Sequence, residues 1–164
     1  MSATSPYLPD TQIDTSPQIE LLVRMFTYQL VPSDTPVSIP SHLGKYKCLL
    51  LIERPVGDEF RHELSRLLVR SGCLYAIAWG LDCSLWDDSV DYANIEKFDY
   101  SGIPDDQFVM TTWHEEDTLE EVLRFAKMDA VVSYADEPLH NLLVLDFTKE
   151  NRAALIEAAY NQIN

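Results

Sequence analysis

Cys83, His114 and the acids Glu53, Asp82, Asp87, Glu115, Glu116 and Asp146 are the side chains whose types and placing could do chemistry. Cys83 as nucleophile, His114 as base and Asp146 or Glu115 as the group that orients the base would make a thiol hydrolase. A cysteine beside a helix start sits where a thiol pKa is lowered. Asp82, Asp87 and Asp88 crowd the same place and act in the other direction. No nucleophile-elbow glycine pattern accompanies the cysteine. Asp82, Asp87, His114 and Glu115 or Glu116 make an oxygen-rich set of the kind that holds a hard divalent ion. The EF-hand spacing is absent, as are H-E-x-x-H and H-x-x-E-H, so no metal is expected. What remains of an enzyme is His114 working with Asp82, Glu53 or Cys83 at the end of a sheet.

Those residues lie at the ends of short apolar runs. Tyr46 to Glu53 reads as a strand covered on both faces, followed by a helix over 58–70 that stops at Gly72. Cys73 to Trp79 predicts a strand and Ser84 to Phe98 a helix; Phe108 to Trp113 and Thr118 to Met128 repeat the pair. Asn141 to Phe147 is a further strand and Lys149 to Ile163 a closing helix. Four alternations predict a three-layer α/β domain over 45–164 with a small, mostly parallel sheet of about four strands. It is flavodoxin-like or Rossmann-like; the preferred order is flavodoxin-like, with the 108–113 strand beside the 46–53 strand. Ligands in such sheets sit at the carboxyl ends of the strands, which would bring Glu53, Asp82 and His114 together from three adjacent strands.

Upstream, residues 1–16 read as a loosely held arm, and 17–44 as a helix with a proline-rich linker packed on the domain. Ser16-Pro17 fits an N-cap and first turn, and Ile19, Leu22, Val23, Phe26 and Leu30 recur at helical spacing over 17–30. Val23 to Val31 is also rich in strand-formers.

Charge narrows the function. Of 27 acids, 13 lie between Asp82 and Glu121, a stretch whose one Lys or Arg is Lys97. The rest of the chain is close to balanced. Part of this block is local: Thr118-x-x-Glu121 is a capping box and Ser84-x-x-Asp87 a near relative. Asp99, Asp105 and Asp106 sit near Gly102 and Pro104 in a turn. Acids at helix starts also repel phosphates, and neither G-x-G-x-x-G nor G-x-x-x-x-G-K-[ST] occurs, so no nucleotide and no other cofactor is expected. Nucleic acids and anionic membranes need clustered Lys and Arg, so neither is an expected partner. Three unpaired cysteines (Cys48, Cys73, Cys83) and an N-terminus without a basic, apolar signal pattern point to the cytoplasm.

The segments LYAIAWGLDCSLWDDSVDYANIEKFD (74–99), PDDQFVMTTWHEEDTLEEVLRFAK (104–127) and GDEFRHELSRLLVRSGC (57–73) resemble a family of bacterial proteins known as a domain of unknown function, over about 46–147. The resemblance implies a bacterial origin and a small stand-alone domain, and it assigns no activity and no catalytic residue.

The expectation is therefore a non-catalytic acidic protein of the immunity-protein, inhibitor or adaptor kind, docking a basic partner protein through 82–121. Asp87, Asp88, Asp91, Glu115 and Glu116 would supply the charge and Trp113 an anchor. A homodimer is compatible with the composition. The alternative is a small α/β hydrolase, metal- or thiol-dependent, around His114 and Asp82.

Overall fold

Cys48–Ile52 and Leu142–Leu145 are unbroken apolar runs, and burying both faces of such strands requires helices above and below. The computed structural model, which describes residues 25–135 and 137–164, shows that arrangement. Its strands are β1 (Phe26–Leu30), β2 (Tyr46–Ile52), β3 (Cys73–Gly80), β4 (Met110–His114) and β5 (Asn141–Phe147). Between and after them come α1 (Asp58–Ser71), α2 (Cys83–Lys97), α3 (Leu119–Met128) and α4 (Ala153–Gln162). All strand pairs are parallel, in the order β1-β5-β2-β3-β4. Alternate residues of β2 feed two cores. Cys48, Leu50 and Ile52 pack with α1 and α2, while Leu49 and Leu51 pack with α3 and α4.

Two expectations about the sheet are corrected. Among the described residues it has five strands, because Phe26–Leu30 is a strand beside β5 and not the end of a helix; the expected arm over 1–16 and the 17–24 part of the expected helix lie outside the described residues. A five-residue segment of strand-formers that pairs with an existing sheet edge outcompetes a helical turn with nothing to pack on. The flavodoxin-like order is also wrong, since β4 lies beside β3 and β5 takes the other side of β2. Successive right-handed crossovers through α1 and α2 on one face carry the chain the same way twice, and it doubles back when α3 moves to the other face. Counted from β2 the order is 3-2-1-4, as in one half of a Rossmann sheet. Composition agrees: β4, with Thr111, Thr112, Trp113 and His114, is too polar for the centre and forms an edge.

Local signals hold at several boundaries. Gly72 closes α1 in the left-handed conformation, and its N–H donates to the Leu68 carbonyl. Thr118 and Glu121 form the full capping box at α3. Ser84 does not cap α2, which starts one residue earlier with Asp82 as N-cap at φ 51° and no side-chain cap. Gly80, at φ 95°, brings the end of β3 so close to β2 that a Cβ would stand 2.3 Å from the Ile52 carbonyl oxygen.

The acid-rich loop before β4 is anchored by one buried amide. Asn94 of α2 donates to the Gln107 carbonyl (3.1 Å) and accepts from the Val109 N–H (2.9 Å). Asn94→Ala leaves both backbone groups unpaired at a buried place, and is expected to cost about 1–3 kcal/mol in urea denaturation.

Candidate functional site

In this topology the strand order reverses between β2 and β5, so the place where an open sheet offers a ligand crevice is at Glu53, Asp146 and their neighbours. The chain's own side chains bond one another there. Asp146, 0 % exposed, accepts two hydrogen bonds from Arg152 (2.8 and 3.0 Å) and one from the Tyr28 hydroxyl (2.7 Å). Arg152 also reaches Glu53 at 3.1 Å, which ties the ends of β2 and β5 together. Burial pushes the Tyr28 hydroxyl up, and bonding to Asp146 holds Arg152 firmly protonated.

The turn from β2 to α1 is where a Rossmann sheet cradles phosphate. Here the N-cap residue, Gly57, gives its N–H to the Asp34 carboxylate (2.8 Å), which also pairs with Arg54 at 2.6 Å. Asp58 and Glu59 follow in the first turn. An anion from the linker thus occupies the position a phosphate would take. Burial alone would raise the Asp34 pKa, but the Gly57 N–H and the Arg54 guanidinium outweigh it and the net shift is downward. This contact contributes stability above the ordinary carboxylate range and loses it as the pH falls through the lowered pKa.

Glu53, Asp82 and His114 do close three neighbouring strands, with β3 between β2 and β4. Glu53 is held by Arg152, and Asp82 is exposed at the start of α2. The His114 ring lies on the α3 side of the sheet, 4.5 Å from the Phe125 ring. Its Nδ1 is 2.6 Å from Asp117 Oδ2 and its Nε2 is 3.2 Å from Thr112 Oγ1, so both nitrogens are engaged. Cys83 is buried in the core on the opposite face, and burial raises its thiol pKa, with Glu115 adding to the shift. A base engaged at both nitrogens and a protonated thiol across the sheet do not make a nucleophile pair. Asp146, the distant orienter, is engaged by Arg152. Among the described residues no group of three or more His, Cys, Asp or Glu is arranged to hold a metal ion. No helix there is long and apolar enough to cross a membrane.

The binding candidates have a different geometry. Asp88, Asp91, Glu115, Glu116 and Trp113 are exposed, and Asp87 is half-buried with one carboxylate oxygen enclosed and unbonded. Thr111 Oγ1 donates to Asp91 at 2.9 Å, fixing α2 to the edge strand. Trp113, two residues further on, stands on the same face and is 54 % exposed. The other tryptophans are structural: Trp86 packs on Phe147 in the core, and the Trp79 indole N–H donates to the Asp117 carbonyl.

The acid count alone did not point to what surrounds these acids. Among the described residues, seven of the ten large apolar side chains left exposed fall between Leu81 and Trp113. Three of them, Leu85, Tyr92 and Ile95, are on the outer face of α2. Their signal was present in the sequence: the apolar positions of this helix run all the way round it, where a surface helix has one stripe.

Although Asp91 is exposed as a whole, its carboxyl is partly shielded where it meets Thr111, which raises its pKa, and repulsion from Asp87 and Asp88 adds to that shift. Stability therefore falls as the pH rises through the carboxylate range and stays lowered at neutral pH. Asp91→Asn, which keeps an acceptor for Thr111, is expected to raise the melting temperature at pH about 7 and to change it little near pH 3, below the ordinary carboxylate pKa.

Comparison with curated proteins finds no match. A family model does match, over residues 26–163, which takes in every strand and helix described above. The chain belongs to the family described as Domain of unknown function (DUF7684).

Proposed function

We propose that this protein is a non-catalytic binding protein, of the immunity-protein, inhibitor or adaptor kind, which docks a basic partner protein through its 82–121 surface. The observation that carries this reading is the coincidence of the two surface anomalies. The acid block and, among the described residues, most of the exposed large apolar side chains occupy the same forty or so residues. Protein interfaces combine apolar anchors, which supply affinity, with flanking charge, which speeds encounter and selects the partner. Exposed apolar groups clustered in this way are a liability unless something covers them. The acids lower stability as well: Asp87 buries an unbonded oxygen, and Asp91 ionises against its neighbours. A nearby cation from a partner relieves that repulsion.

Self-association through this face is opposed by the same charges, since two copies would bring acid against acid. A basic partner has no such conflict. Retention of proteins from the native host on immobilised chain tests the reading. A partner held at about 0.05 M salt is expected to be released near 0.5 M, because screening shortens the reach of exposed charges. A partner set retained equally at both concentrations would count against it.

A further inference from the structure

We propose that the outward face of α2 is the seat of an amphipathic helix carried by the partner, apolar along one stripe and flanked by Lys or Arg; this rests on the docking reading above. α1 and α2 lie side by side in one layer, yet differ on their water-facing sides. α1 shows Glu59, His62, Glu63 and Arg70 to solvent, as a surface helix does. α2 shows Leu85, Tyr92 and Ile95, which are 43, 53 and 41 % exposed. With 3.6 residues per turn these three positions line up on one side, and span about 15 Å from first to last. Asp88 falls between Leu85 and Tyr92 on the same side.

The stripe is held in shape at its far end. The Tyr92 hydroxyl lies 2.7 Å from that of Tyr100, and the two rings meet edge to face. It is also flanked unequally. On the α1 side Glu96 is already taken by Arg66 at 2.7 Å, whereas Asp91 on the β4 side is bonded, among the described residues, only to a neutral threonine hydroxyl. The unneutralised charge therefore lies in the middle of the stripe, at Asp88, and along one flank. A ridge of residues spaced by three and four positions is the surface into which the ridges of another helix interlock. The matching partner helix carries Leu- or Ile-type residues on one side, a cation opposite Asp88, and further Lys or Arg along the β4 flank. A second copy of the chain does not fit, since its own Asp88 and Asp91 would meet these.

Two synthetic peptides of Leu and Lys, each about 14 residues long so as to cover three to four helical turns, test this. They have identical composition. One arranges Leu at helical spacing, and the other scrambles it so that no stripe forms. Titrated onto the full chain, the striped peptide is expected to bind roughly tenfold or more tightly than the scrambled one. That preference should disappear in a chain carrying Leu85→Ser, Tyr92→Ser and Ile95→Ser. Asp88→Lys alone should weaken both peptides, and being an exposed position it provides a readout even if the triple variant loses stability. Equal binding of the two peptides overturns the helix seat but leaves charge-driven docking standing. A preference that survives the triple substitution overturns the seat as well. Binding of neither peptide overturns both readings.

Discussion

Arg152→Ala is expected to destabilise the fold by about 3–5 kcal/mol, the range for leaving a buried charge without its partner. The partner is Asp146, whose side chain has no exposed surface and takes two of its hydrogen bonds from the lost guanidinium. The Tyr28 hydroxyl remains as a donor but brings no charge. Asp146→Asn added to Arg152→Ala should recover part of the loss, because the buried group is then neutral. The four unfolding free energies form a cycle, and its coupling term isolates the pair. A cost below about 1 kcal/mol for Arg152→Ala, typical of an exposed ion pair, would show that the site is wetter than described. The same network gives the prediction its functional sense. In this topology the strand ends are the natural ligand position, and here Arg152, Asp146, Glu53 and Tyr28 bond one another there.

The second large effect concerns binding. Reversing Asp87, Asp88 and Asp91 to Lys is expected to weaken binding of the proposed basic partner by roughly a hundredfold or more, since like charges set opposite one another cost several kcal/mol. Stability should fall by no more than about 1.5 kcal/mol, the net worth of the Thr111–Asp91 hydrogen bond that the reversal removes. Asp88 is exposed, and at Asp87 and Asp91 the reversal also removes partly shielded carboxylates that repel one another. Urea denaturation of the variant checks that its fold is intact, and titration with the isolated partner checks the loss. A variant as stable as the native chain that binds equally well would remove the acids from the interface.

Much of the architecture was legible because it depends on local patterns. The unbroken apolar runs at Cys48–Ile52 and Leu142–Leu145 mark strands covered on both sides, and Gly72 and Thr118-x-x-Glu121 mark helix ends by their backbone chemistry. Strand order is not a local property. It depends on which face each crossover helix packs, and α1 and α2 sharing a face placed β4 beyond β3. Phe26–Leu30 carries both helical spacing and strand-forming residues, and only pairing with β5 decides between them.

At the strand ends, Tyr28 and Arg152 are 124 residues apart and meet only through the sheet. One clue was available: an acid inside a buried run, as in Leu145-Asp146-Phe147, requires a cation, and Arg152 lies just downstream. Asp34 at the start of α1 gave no such clue, because nothing in a proline-rich linker indicates which N–H its carboxylate will meet. The acidic surface itself was visible as a charge block. The exposed apolar side chains within it emerged once α2 could be seen to bury Trp86, Val90 and Ala93 while leaving Leu85, Tyr92 and Ile95 in water.

Amide hydrogen exchange of the full chain, alone and saturated with a basic protein isolated as its partner, tests the proposed docking surface most directly. Slowed exchange on binding is expected across α2, at residues 83–97, and at the β4 edge, 110–116. The strand-end positions 53–57 and 146–152 should exchange as they do in the free chain. Protection confined to those strand ends, or to the faces of α3 and α4, with α2 unchanged, would contradict the account.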